Sequence, residues 1–109
     1  MKSIQLIVGF VAVLLIATPA FSAGDAAAGK EIYNKKCASC HGAAGEGKES
    51  IAKSLKVEFR PLGSKEVQAA SDSDLKKVML QGKGKMKGVA GLDDKSADDI
   101  VAYLRTLKK

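Results

Sequence analysis

The 109-residue sequence has no tryptophan, a single histidine and two cysteines, and aromatic residues make up only 5% of it. Each scarcity excludes something. With so few large rings, a small domain buries a modest core and needs a staple beyond side-chain packing. A disulfide between Cys37 and Cys40 would close too short a loop to serve as that staple. A lone histidine, His41, rules out any site that takes two from one chain. No strand-like alternation and no internal repeat stands out, which leaves helices. No acid–base pair or activated nucleophile is set out around which to build an enzyme. Basic residues are plentiful but not interleaved with aromatics, so nucleic acid is not an expected partner.

What is present begins with an export signal. Met1 and Lys2 give a positive start, residues 4–17 are an almost unbroken apolar run, and Thr18-Pro19-Ala20-Phe21-Ser22-Ala23 follows. Charge, apolar run and small residues in that order form a secretory signal peptide. The run of 14 residues is short of the about 20 that a spanning helix needs, so no lasting membrane insertion is expected. Cleavage after Ser22 places Ala20 and Ser22 at the small-residue positions, and cleavage after Ala20 is the alternative. Residues 1–22 are therefore expected to be removed, and residues 23–109 to form one domain. That domain loses Lys2, which lowers the formal charge from +6 to about +5, and keeps Tyr33, Phe59 and Tyr103 as its aromatics.

The rest reads as all-helical. Asp25 suits the N-cap of a helix through about Lys36, with Ile32 and Tyr33 on its inner face. Gly29 in its middle makes sense where another backbone passes closely. Residues 42–47 read as a flexible loop, residues 51–57 as a short helical turn, residues 61–64 as a turn and residues 65–70 as another short helix. Ser71 with Asp74 has capping-box spacing, with Ser73 the alternative cap. Leu75, Val78 and Met79 then form one apolar stripe that Gly82 ends. Residues 82–88 read as a loop. Ser96 with Asp99 repeats the capping spacing, and Ile100, Val101, Leu104 and Leu107 line one face of a last helix.

The chemistry lies in Cys37-Ala38-Ser39-Cys40-His41. Cys-x-x-Cys-His is the attachment signature of a c-type haem. Two thiols three positions apart reach the two vinyl groups on one porphyrin edge, and the next residue sets an imidazole under the iron. A haem is also the staple that the poor core lacks. A redox dithiol belongs in a strand-rich fold, a zinc site would have to recruit a carboxylate as its fourth ligand, and a plain disulfide is the remaining alternative in an exported chain.

With one histidine used below the iron, the position above falls to methionine or stays open. Met79 lies on the apolar stripe, where methionine is ordinarily core. Met86 stands among glycines and lysines with no packing reason to be there, 45 residues beyond His41, far enough for the chain to wrap round and return. Met86 is the expected distal ligand, with Met79 and an open iron as alternatives. A filled iron binds no substrate and suits electron transfer, and a Met/His pair raises the reduction potential.

From Asp25 onward the sequence resembles the class I monohaem cytochromes c of bacteria, the small periplasmic carriers. The resemblance rests on Gly29 and Tyr33 ahead of the Cys37–His41 motif, on the Gly-Lys-Gly-Lys-Met run ending at Met86, and on residues 98–107. It implies a cytochrome c fold of three main helices plus short ones around one covalent haem c with its iron. Cys37 and Cys40 would hold the haem and His41 and Met86 would ligate it. Gly29 would permit a close crossing of the first and last helices, with Tyr33, Tyr103 and Leu104 around it. Two positions depart from the family. Lys87 replaces the proline that often follows the distal methionine. Lys53 lies near the place of the proline whose carbonyl takes the proximal histidine's hydrogen bond, so a carbonyl between residues 51 and 55, or that of Pro61, would serve instead.

Lys83, Lys85 and Lys87 surround Met86, and Lys35, Lys36 and Lys48 flank the motif. They read either as ordinary solvated lysines or as a basic ring that steers a redox protein with an acidic docking patch. The expectation is a monomeric, non-enzymatic periplasmic carrier of single electrons. The alternative is a small-molecule sensor or weak peroxidase with open iron.

Overall fold

The computed structural model describes residues 24–109; the expected signal peptide lies outside them. Six helices and one small hairpin follow in order: α1 (Ala26–Lys36), α2 (Ala38–His41), α3 (Glu49–Leu55), α4 (Lys65–Gln68), α5 (Asp72–Gln81), β1 (Gly82–Lys83), β2 (Met86–Lys87) and α6 (Asp94–Thr106). The three longest are α1, α5 and α6, as expected of the all-α reading.

Local chemistry starts these helices. Asp25 caps α1 by accepting from the amides of Ala27 and Ala28 at 2.9 and 3.3 Å, and Ser71 caps α5 through the Asp74 amide at 3.0 Å. The last helix departs from expectation. Its N-cap is Asp93, whose carboxylate accepts from the Ser96 amide at 2.8 Å. Ser96 is already inside the helix, because an aspartate three positions earlier caps equally well. Asp99 is then free for another task. Buried at 5% exposure, it accepts from the Asp25 amide at 2.8 Å and from Lys95 at 2.9 Å, tying the start of α1 to α6. Those hydrogen bonds, the Lys95 one foremost, hold its carboxyl below the usual carboxylate range.

The core is Tyr33 of α1, Met79 of α5, and Ala97, Ile100, Val101, Tyr103 and Leu104 of α6, with Ile32, Leu75 and Leu107 among those packed against it. The crossing of α1 and α6 is as close as backbones allow. A methyl placed on Gly29 would stand 1.9 Å from the Asp99 carbonyl oxygen. Gly24 meets the same stretch, with a methyl there 2.2 Å from the Asp99 nitrogen, a contact that the sequence did not announce. Opposite, Arg105 of α6 donates to the Gln68 and Ala70 carbonyls and to Asp72, all within 3.1 Å, which locks α4 and α5 to the last helix.

Two loops are more ordered in form than their composition suggests. Residues 42–47 turn straight back onto the preceding helix: Gly47 donates to the His41 carbonyl at 2.6 Å, Lys48 to that of Cys40 at 2.9 Å, and Leu62 to that of Gly45 at 2.9 Å. Residues 82–87 form an antiparallel hairpin pairing Gly82 with Lys87 and Lys83 with Met86. Gly84, at φ +57°, opens its two-residue turn, the position where a positive φ favours glycine. Strands of two residues are too short to show alternation, so this stretch reads as a loop from sequence.

Gly29→Ala tests the crossing. Alanine should add about 1 kcal/mol of helix propensity, yet the holoprotein should lose about 2 kcal/mol or more in denaturant unfolding, because the helices must move apart. Unchanged or greater stability would contradict the close crossing.

Candidate haem site

The five-residue motif folds as one turn. The amides of Cys40 and His41 both donate to the Cys37 carbonyl, at 3.2 and 3.0 Å, and Gly42 donates to that of Ala38 at 2.9 Å. The two thiols and the imidazole thus issue from one turn, with Cys37 at the N-cap of α2 and Cys40 and His41 within it. Cys37 and Cys40 are not paired with each other, and both are half-buried.

That turn is fixed from inside by two tyrosines. Tyr33 is fully buried and its hydroxyl donates to the Gly42 carbonyl at 2.5 Å, while Tyr103 donates to that of Ala43 at 3.3 Å. Their rings stand 5.1 Å apart, tilted by 53°. Burial, above all, pushes the Tyr33 hydroxyl pKa well up, so it remains a donor. Sequence reading placed both rings near the helix crossing but not their hydroxyls on the segment after His41.

Two cavities, of about 550 and 600 Å³, share Cys37, His41, Arg60, Lys83 and Met86 in their walls. The first continues over Tyr33, Leu75, Met79 and Leu104. The second takes in Cys40, Leu55, Phe59 and Lys85. Each lies within the roughly 300–1,000 Å³ of small-molecule and cofactor pockets. The donor set fits a covalently held haem: two thiols on one turn, an imidazole beside them and a thioether from the far hairpin, amid apolar walls. Met79 is core, at 5% exposure, and lines the first cavity alone. Met86 is half-buried and lines both. Among the described residues no group of three or more His, Cys, Asp and Glu side chains is placed to hold a metal ion.

Burial pulls the His41 pKa down, favouring the neutral imidazole that ligates metals. Burial pushes the Cys37 thiol up, with the Lys36 charge acting against it. The His41 Nδ1 is buried and has no hydrogen-bond partner. The expected acceptor, a carbonyl of residues 51–55 or of Pro61, is therefore not in contact. The imidazole instead meets the ring of Phe59 edge-on, centroids 5.3 Å apart at 62°. Phe59 is a wall residue that sequence reading missed, although an aromatic in a chain holding so few was a signal. Of the lysines picked out by sequence, Lys36, Lys83, Lys85 and Lys87 line the second cavity, and Lys35 and Lys48 do not.

A helical fold built round a Cys-x-x-Cys-His turn and an apolar slot defines the c-type cytochrome class. A family model described as cytochrome C oxidase, cbb3-type, subunit III, matches residues 24–104. Cytochrome c-554(547) of Halothiobacillus neapolitanus is 36% identical over 93 residues, covering 79% of this chain and 100% of that protein. Among solved structures, the KustC0563 c-type cytochrome superposes with a TM-score of 0.63 at 25% identity, over 74% of this chain and 98% of that one. The chain belongs to the cytochrome c family, as a small monohaem, class I-like member with a covalently bound haem c and its iron. It is a c-type haem electron carrier.

Proposed function

We propose that this chain shuttles single electrons between periplasmic or membrane-bound redox proteins, through a haem attached at Cys37 and Cys40 and ligated by His41 and Met86. The observation that carries the reading is that His41 and Met86 both line both cavities, whereas Met79 is spent in the core. The bound group supplies an iron that gains and loses one electron. The protein's part is to keep it in place: burial favours the neutral form of His41, its turn is pinned by Tyr33 and Tyr103, and the hairpin brings a thioether. With His41 and Met86 both given to the iron, no position on it would be left for a substrate, so the proposed role is carriage rather than catalysis. An open-iron sensor or peroxidase would leave Met86 without a task.

The remaining assignments belong to the same reading. Residues 1–22 direct export and are removed, residues 23–109 are the working domain, and it acts in the periplasm as a monomer. No helix of the described residues is long and apolar enough to cross a membrane. Lys36, Lys83, Lys85 and Lys87 on the rim of one cavity supply positive charge where an acidic patch on a redox partner would dock.

Met86→Ala should abolish the long-wavelength absorption band of sulfur-ligated ferric haem, lower the reduction potential by roughly 0.1 V or more, and open the ferrous protein to rapid carbon monoxide binding. A band that survives in Met86→Ala but is lost in Met79→Leu would overturn the assignment. Electron-transfer rates to an acidic redox partner should fall steadily as ionic strength rises. A flat salt profile would reduce the lysines to solvation.

A further inference from the structure

The hairpin that carries Met86 is well held at its base. Its strands pair with each other, Val89 donates to the Met79 carbonyl at 2.8 Å, and Lys36 Nζ reaches the Ala90 carbonyl at 3.1 Å. Its tip is different. Gly84 has open space around it, with nothing within 4 Å of a Cβ built there. The tip's tether is Lys85. Its Nζ donates across the second cavity to the Leu55 carbonyl at 2.6 Å, a contact 30 residues apart in the chain.

Leu55 is the last residue of α3, so its carbonyl has no successor within the helix. The amides that follow turn elsewhere: Lys56 donates to Lys53 and Val57 to Ala52. An ammonium is the partner that such a helix end prefers. Lys85 and Leu55 both line the second cavity, together with His41 and Met86. The lysine thus bridges the mouth of the slot, from the distal-ligand hairpin to the helix beside the proximal wall. A strap of this kind matters here because Lys87 follows Met86 where a proline would stiffen the loop.

We propose that Lys85 is a positioning residue for Met86: its bond to the Leu55 carbonyl holds the hairpin tip down and keeps the thioether on the iron. The inference rests on Met86 being the distal ligand. It also takes Lys85 out of the set of freely mobile docking charges.

Mature holoprotein in the ferric state, titrated with imidazole and followed through the sulfur–iron band, provides the test. Lys85→Gln cannot carry the charge-assisted bond, so imidazole should displace Met86 about fivefold more tightly. The difference should persist at high salt, since a direct contact is screened far less than a through-space charge. Lys85→Arg, which still donates and keeps the charge, should return the affinity towards wild type. Equal imidazole affinity in Lys85→Gln and wild type would overturn the strap, as would a difference that vanishes with salt or is shared by Lys85→Arg. Should wild type lack a band that depends on Met86, the ligation reading fails first and the strap with it. Should that band be present and Lys85→Gln behave as wild type, the strap fails alone.

Discussion

The close passage of α1 over α6 at Gly29 is the constraint on which the rest of the structure depends. With no side chain between the two backbones, the Asp99 carbonyl sits where a Cβ would otherwise be. Asp99 seals the crossing by taking the Asp25 amide and the Lys95 ammonium at once. From that fixed point α1 delivers Tyr33 into the core, one turn ahead of the cysteines. The Tyr33 hydroxyl then holds the Gly42 carbonyl, and with it the turn that presents Cys37, Cys40 and His41. The crossing and the cofactor site are one construction.

The far wall depends on α6 less directly. Arg105 fastens α4 and α5 to it, α5 ends at Gly82, and the hairpin begins there. Met86 therefore projects from a two-stranded ribbon whose base is anchored to helices and whose tip leans on α3 through Lys85. One wall is held by packing, the other by backbone pairing and by two lysine hydrogen bonds, from Lys36 and Lys85.

Much of this was legible in the sequence, and for identifiable reasons. Covalent attachment demands a fixed spacing, so the Cys-x-x-Cys-His motif alone points to a covalent haem c. A glycine in the middle of an otherwise ordinary helix has few explanations, so Gly29 foretold a close neighbour. The stripe of Leu75, Val78 and Met79 separated a core methionine from Met86. What stayed hidden was of another kind. Asp93 and Ser96 are both good caps, and only the folded chain decides between them. The hairpin strands are too short to leave a pattern, and the 42–47 loop owes its form to bonds that composition does not encode. Lys85 meeting Leu55, and Phe59 meeting His41, are contacts between distant segments with no local signature. That no carbonyl reaches His41 Nδ1 is likewise a matter of distant segments, which single-residue reading does not determine.

The central claim is that one haem is bound through the sulfurs of Cys37 and Cys40. Intact-mass analysis of the exported protein under denaturing conditions, followed by peptide mapping, addresses it most directly. The account predicts a chain heavier by one haem that survives denaturation, with the added mass on the peptide spanning residues 37–41. A denatured chain at its bare polypeptide mass, with both cysteines free or joined to each other, would contradict it.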